Sequence, residues 1–251
     1  MKRLSLIVGA FGAIWLGGLS AVIGAQSPAP MTNLQVWPKD TPREQVLQTM
    51  RAFNESLGVE CNYCHVADLA SDEKREKRVA RQMILLRDSI NVMLAAIVDK
   101  PAGAGPTAGA GQPGAPIRVL CRDCHHGLPV PRQLTTVMTE AETGSGAPAA
   151  LAKYRELRAQ YYGGQQYDFT ENSLLTMAQR AINAKRPAEA IQYLQANLEY
   201  FPRSVRSHVA MSQAKAAAGD TEGAVESVER AVAIDPKNVQ AQNQLRQLKG
   251  R

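Results

Sequence analysis

Apolar residues recur every three or four positions along much of this chain, which is the spacing of amphipathic helices. A first helix is predicted to begin at Thr41, because Thr41 and Glu44 have the spacing of a capping box and Pro42 suits the first helical position. Gly58 is predicted to end this helix. Its apolar stripe consists of Val46, Met50, Phe53 and Leu57.

A second, longer helix is predicted from about residue 71 to about residue 98. Its first turns, residues 72–78, carry only charged side chains, which favours a solvated face. Its apolar stripe consists of Val79, Met83, Leu86, Ile90, Leu94 and Ile97. The pattern therefore predicts two amphipathic helices in the first half of the chain.

Two segments interrupt the helical pattern. Residues 101–116 consist of Pro, Gly and Ala apart from one Thr and one Gln, which predicts a flexible insert without a packed element. Residues 139–149 are also predicted to be a linker, and they lead into a bridging helix over residues 150–161.

The last third of the chain contains an internal repeat. Residues 190–202 align with residues 224–236, and each copy begins with alanine and ends with proline. The offset between the copies equals the period of about 34 residues that is typical of the tetratricopeptide repeat. This resemblance predicts a stack of helix pairs over residues 171–251. His208 lies on a repeat helix and is predicted to be a packing or surface residue rather than a ligand.

Residues 1–25 have the form of a secretory signal, with Lys2 and Arg3 before an apolar stretch and a small residue at Ala25. An uncleaved anchor is the alternative, because the stretch approaches the ~20 residues that span a bilayer. We therefore expect an exported, periplasmic protein that is soluble or membrane-associated. The net charge of +6 comes from basic residues interleaved with acidic ones, so no nucleic-acid partner is predicted.

All four cysteines belong to two copies of the pattern C-x-x-C-H. This pattern is typical of c-type haem attachment, because two thiols at this spacing can bond one haem while the next residue offers its imidazole to the iron. The predicted attachment residues are Cys61, Cys64, Cys121 and Cys124. The predicted proximal iron ligands are His65 and His125. The sequence thus predicts two covalently attached haem c groups.

A zinc site made of two C-x-x-C knuckles and a pair of redox dithiols are the alternatives. The gap between the two copies exceeds the ~15–20 residues usual between zinc-ribbon knuckles. Export also favours haem, because an oxidising compartment would convert a vacant C-x-x-C into a disulfide.

The sixth iron ligands are expected to be methionines, since histidine is nearly exhausted and His126 cannot easily reach across the ring that its neighbour binds. A thioether in this position raises the reduction potential relative to a second imidazole. Met50 is predicted for the first haem, because its helix ends close to Cys61. For the second haem, the residues alone leave several possibilities open. These are Met83, Met93, Met138 and an open coordination position.

Residues 33–134 resemble the cytochrome c subunit of the photosynthetic reaction centre. The resemblance lies in an ordered series of runs: L-G-V-E-C-N-Y-C-H, L-A-S-D-E-K, R-V-A-R-Q-M-I-L-L-R-D-S-I-N and C-R-D-C-H-H-G-L-P-V-P. In that family, helix methionines before and after the first C-x-x-C-H bind iron, which implies Met50 and Met83 as the sixth ligands here. The family protein carries four haems in two pairs, whereas this chain has one pair of motifs, a Gly/Pro/Ala insert and a repeat tail.

The sequence therefore predicts a mostly α-helical protein with a dihaem cytochrome c module of helices and long loops at residues 26–138. A linker and bridging helix at residues 139–170 would join the module to the repeats. We expect an electron carrier rather than an enzyme. Membrane-associated redox proteins are expected as its donor and acceptor, and a protein partner is expected to dock on the repeats. The alternatives are a dihaem peroxidase-like enzyme, a donor to a photosynthetic reaction centre and a redox-sensing assembly protein.

Overall fold

The computed structural model describes residues 31–98 and 117–250. The predicted signal segment and the insert at residues 101–116 lie outside this part of the chain. The described residues form ten helices and no strand, which confirms the mostly α-helical class. Among these helices, none combines the length and the hydropathy that crossing a bilayer requires.

The helices fall into two groups along the chain. The first group contains α1 (Arg43–Leu57), α2 (Cys61–Cys64), α3 (Arg75–Val98) and α4 (Cys121–His125). The second group contains α5 (Leu134–Tyr161), α6 (Glu171–Asn183), α7 (Pro187–Tyr200), α8 (Val205–Ala217), α9 (Thr221–Ile234) and α10 (Val239–Lys249).

The start of α1 differs from the prediction. The helix begins at Arg43, and the capping box expected between Thr41 and Glu44 is not formed. The Thr41 hydroxyl instead donates to the carbonyl of Pro38 at 2.7 Å, in a turn that precedes the helix. Gly58 ends α1 as predicted, in the left-handed conformation with φ of +65°.

The prediction of a linker at residues 139–149 was wrong, because helix α5 runs through these residues. Two helical parts meet at a kink where Ser145 and Gly146 leave helical geometry, and Pro148 follows two residues after Gly146. The first part is held in place because the side chain of Met138 is fully buried against the repeat helices. Packing therefore orders a stretch whose composition is typical of a loop.

The repeat region forms the main hydrophobic core. Helices α6 and α7 make one pair, and α8 and α9 make the next, with α10 packed against α9. Ala190 and Ala224, which occupy equivalent positions in the two copies of the repeat, are both fully buried, so small side chains recur where helices pack closely. His208 is buried, and its Nε2 lies 3.1 Å from the Pro202 carbonyl, consistent with a packing role.

Polar contacts fasten α5 to the repeats. The hydroxyl of Tyr193, a fully buried residue on α7, donates to Glu142 at 3.2 Å. Arg186, at the start of α7, also lies 3.2 Å from the same carboxylate. These contacts attach the part of α5 before the kink to the repeat stack.

Candidate haem sites

The two C-x-x-C-H motifs lie at the same end of α1. Helix α1 packs against α4, which carries the second motif, although the first motif follows α1 directly in sequence. The amide of Gly127 donates to the carbonyl of Ser56 at 2.9 Å. Gly58 lies so close to Gly127 that a Cβ atom at position 58 would collide with the Gly127 carbonyl oxygen. A glycine is thus required where the two motifs meet.

Both proximal histidines are oriented by a backbone carbonyl. The Nδ1 atom of His65 lies 3.2 Å from the Leu69 carbonyl, and that of His125 lies 2.8 Å from the Leu128 carbonyl. Because a carbonyl only accepts, each Nδ1 carries the proton, and each Nε2 presents a lone pair in the neutral ring. This arrangement is the one that metal-binding histidines use, so both rings fit an iron ligand.

The surroundings of His65 favour its neutral form. Burial lowers its pKa, the bond to the Leu69 carbonyl opposes this, and Lys77, Arg81 and Lys74 lower the pKa further. A lowered pKa favours the neutral ring, which is the form that binds metal.

The four cysteines form no disulfide with one another, and each motif has one exposed and one half-buried cysteine. Cys61 accepts a hydrogen bond from the Asn54 side chain at 3.5 Å. Burial, followed by the charge of Glu76, raises the pKa of Cys64, while Lys74 opposes this shift. Across residues 31–98 and 117–250, no three or more His, Cys, Asp or Glu side chains are grouped so that they could hold a metal ion.

Helix α3 exposes its apolar stripe between the two motifs. Leu86 is 51% exposed and Ile97 is 68% exposed, although both lie on the apolar stripe of this helix. Val79 and Met83 on the same stripe are also exposed, and Leu85, Val92, Met93 and Val98 are exposed elsewhere on α3. Soluble proteins rarely leave such a continuous apolar face in water. The face fits the packing surface of a large apolar group such as a porphyrin.

Two hydrogen bonds hold α3 beside the segment that leads into the second motif. The Asn91 side chain accepts from the Val119 amide at 2.7 Å and donates to the Val119 carbonyl at 3.1 Å. Met83 precedes Asn91 by eight residues, which places it about 80° away around the helix. Met93 follows by two residues and lies about 200° away, on the opposite side. Of the two, Met83 is nearer the face that meets the second motif.

The remaining methionine candidates occupy different environments. Met50 is half-buried on α1, the helix whose end meets both motifs. Met138 is fully buried in the core between α5 and the repeats, where it serves packing.

A cleft of about 560 Å³ lies between the second motif and the first repeat helix. Cys124 and His125 form part of one wall, and Asn172, Ser173 and Thr176 of α6 form part of another. Cofactor sites are commonly ~300–1,000 Å³ in volume. The second motif therefore opens directly onto the repeat stack.

The charge run at the start of α3 has a different role from the solvated face that the sequence predicted. Asp72 pairs with Arg81 at 2.8 Å and with Lys77 at 3.2 Å, and both basic side chains are only 11% exposed. Hydrogen bonds from Arg81 and then Asn33 hold the pKa of Asp72 well below its usual range. Residues 71–74 stay outside α3, which begins at Arg75, because their polar groups make these tertiary contacts.

Comparison with known proteins identifies the family. A model of the family described as the photosynthetic reaction centre cytochrome c subunit matches residues 24–200, more than half of the chain. The chain belongs to this family. The resemblance carried by residues 33–134 is thereby confirmed, and the match continues into the first repeat helices.

A curated relative within this family is the photosynthetic reaction center cytochrome c subunit of Rubrivivax gelatinosus, which is 34% identical over 74 residues. The alignment covers 30% of this chain and 16% of the relative, so the chain spans about a sixth of that protein's length. Membership of a cytochrome c family implies covalently bound haem c, and the proteins of this family are electron carriers.

The C-terminal repeats also match a known family. A tetratricopeptide repeat model matches residues 181–248, which confirms the prediction from the offset between the two copies. Among solved structures, the first tetratricopeptide domain of human RPAP3 is 16% identical, with a TM-score of 0.34 over 47% of this chain and 87% of that chain. The match to the repeat family suggests a protein-binding role for this end of the chain.

Proposed function

We propose that this protein is an exported dihaem cytochrome c that passes single electrons between redox partners. Each haem, when bound, supplies an iron that alternates between two oxidation states. The family supports the electron-carrier role. The proposal of two haems rests on one observation. The histidine of each C-x-x-C-H has its Nδ1 atom hydrogen-bonded to a backbone carbonyl.

Pairing of the two sites is supported by the contact at the end of α1. The Gly127 amide and the Ser56 carbonyl join the loop after the second motif to the helix before the first. Two redox groups held by one rigid contact keep a constant separation, which suits electron exchange within the protein. Paired motifs also account for the exposed apolar face of α3 between them.

Methionine ligands are proposed for both irons, Met50 for the first haem and Met83 for the second. Met50 is supported by its place on α1, and Met83 by its place near the face of α3 that Asn91 holds against the second motif. Methionine at this position raises the reduction potential and leaves no open site for an external ligand.

Replacing Met50 or Met83 with histidine is expected to lower the reduction potential of one haem, on the order of 0.1 V within the ~0.8 V range that axial ligands span. The first substitution should affect the first haem, and the second substitution should affect the second. Spectroelectrochemical titration of each purified variant measures both potentials.

Met93→His is the matched control, because Met93 lies on the same helix and is 65% exposed. It should leave both potentials unchanged. A shift with Met93→His and none with Met83→His would place the second ligand at Met93 and contradict the proposed assignment.

Electron donation to a photosynthetic reaction centre is a second candidate, which the family favours. Reduced protein mixed with purified reaction centres would then be oxidised after a light flash, at a rate that rises with protein concentration.

The repeat stack is proposed as the docking surface for a redox partner. Export is proposed from the leader-like segment at residues 1–25.

A further inference from the structure

The carbonyl that orients His65 is shared with a lysine. Leu69 O lies 3.2 Å from His65 Nδ1 and 2.9 Å from Lys77 Nζ. An oxygen that accepts from an ammonium group is a poorer acceptor for a second donor, because the positive charge draws its electron density. The hydrogen bond to His65 is therefore weakened by Lys77.

Lys77 occupies this position because its surroundings leave it little freedom. Its Nζ also lies 2.9 Å from the carbonyl of Ala70 and 2.8 Å from that of Ser71, so it binds three successive carbonyls. Only 11% of its side chain is exposed, and Asp72 lies 3.2 Å away. A surface lysine would not be held in this way.

Asp72 joins Lys77 to a wider network. Its carboxylate accepts from Arg81 at 2.8 Å, from Asn33 at 2.9 Å and from Gln35 at 3.1 Å. Asn33 also donates to the Ala70 carbonyl, so the segment before α1 braces the same loop. Lys77 is consequently fixed relative to the Leu69 carbonyl.

The second motif is built differently. Leu128 O lies 2.8 Å from His125 Nδ1, a shorter contact than the one at His65. In the described part of the chain, no side-chain donor other than His125 reaches the Leu128 carbonyl. Among the described residues, a lysine therefore shares the carbonyl that orients the proximal histidine only at the first motif. This difference distinguishes two otherwise similar sites.

We propose that Lys77 is a positioning residue that selectively raises the reduction potential of the first haem. A strong hydrogen bond from Nδ1 makes an imidazole a more basic ligand, which favours the oxidised metal. Lys77 weakens this bond and adds a fixed positive charge, and both effects favour the reduced metal. Because of the higher reduction potential, an electron on the protein would reside more often on the first haem. This inference rests on the proposed dihaem function.

The test is Lys77→Met, with Arg87→Met as the matched control. Arg87 lies ten residues further along α3 and pairs with Asp88, so its removal changes the net charge of α3 by the same amount without touching the Leu69 loop. Lys77→Met should lower the affinity of the first haem for an electron about tenfold, which is the order of effect expected when groups around a metal-binding histidine are replaced. That factor corresponds to about 59 mV for a one-electron couple. Arg87→Met should shift neither haem by a comparable amount.

A second variant and a second readout test whether the shift in potential accompanies the loss of the contacts between Lys77 and residues 69–71. Lys77→Arg keeps the charge and the donors, so it should retain most of the potential of the first haem. Hydrogen exchange of residues 69–72 should quicken in Lys77→Met and stay near the original rate in Lys77→Arg.

Two findings would overturn the proposal. One is an equal shift of both haems in Lys77→Met, and the other is an unchanged first haem in a variant whose loop exchange has quickened. If the unsubstituted protein carries fewer than two covalent haems, the proposed function fails instead, and intact-protein mass spectrometry decides that beforehand.

Discussion

Replacing both Cys121 and Cys124 with alanine is expected to leave a protein that carries one covalently bound haem instead of two. The thioether bonds of one haem require the two thiols of one motif, and each motif has its own proximal histidine. Loss of one pair should therefore remove one haem and halve the haem absorbance per protein. Intact-protein mass spectrometry under denaturing conditions measures the change directly.

The reciprocal variant, with Cys61 and Cys64 replaced by alanine, is the control. It should also retain one haem, and the two single-haem proteins should have different potentials, since their histidines have different hydrogen-bond environments. If both variants kept the original mass, the cysteines would have no part in covalent attachment. Stoichiometric zinc in the unsubstituted protein would instead favour the zinc-knuckle alternative.

Replacing Gly58 with alanine is expected to separate the two motifs. Gly58 has φ of +65°, and a Cβ there would collide with the Gly127 carbonyl oxygen. Left-handed backbone in a residue other than glycine costs about 1–3 kcal/mol, and forcing an atom into a packed contact adds about 1–3 kcal/mol. The Gly127 amide, which donates to Ser56, should lose its protection against hydrogen exchange.

Gly219→Ala is the matched control for this substitution. Gly219 has φ of +86°, but a Cβ there would meet no atom within 4 Å. It should therefore show the backbone strain without the collision, and the Gly127 amide should stay protected. Equal loss of protection in both variants would mean that the Gly58–Gly127 contact does not hold the motifs together.

Sequence periodicity predicted the elements that depend on local order. The apolar stripe from Val46 to Leu57 corresponds to α1, and Gly58 ends it in the expected left-handed conformation. The offset of 34 residues between the two copies predicted the repeats. Ala190 and Ala224 are separated by this offset, and both are fully buried where helices pack. These features repeat along the chain, so a single sequence reveals them.

Local reasoning failed where distant residues decide the conformation. Thr41 has the spacing of a capping box, yet its hydroxyl bonds Pro38, and the helix starts two residues later. Residues 139–149 look like a linker, yet Met138 anchors α5 in the repeat core, so the stretch is helical. In each case, contacts outside the local pattern outweigh the intrinsic preference.

The charge run at residues 72–78 illustrates the same limit for the candidate sites. Its composition is that of a solvated face, and nothing in its spacing identifies the Leu69 carbonyl as the partner of Lys77. The contact depends on a loop that folds back and on Asn33, 39 residues before Asp72. A pattern of charges predicts exposure but does not predict partners.

By itself, the sequence determined the family, the helical class, the repeats and the residues of the two C-x-x-C-H motifs, because thiol spacing and helical periodicity are local properties. Only the tertiary structure decided that the end of α1 joins both motifs, that α3 presents its apolar face between them and that a lysine shares the carbonyl of just one histidine. Those features depend on residues that are far apart in the chain and meet only when it folds.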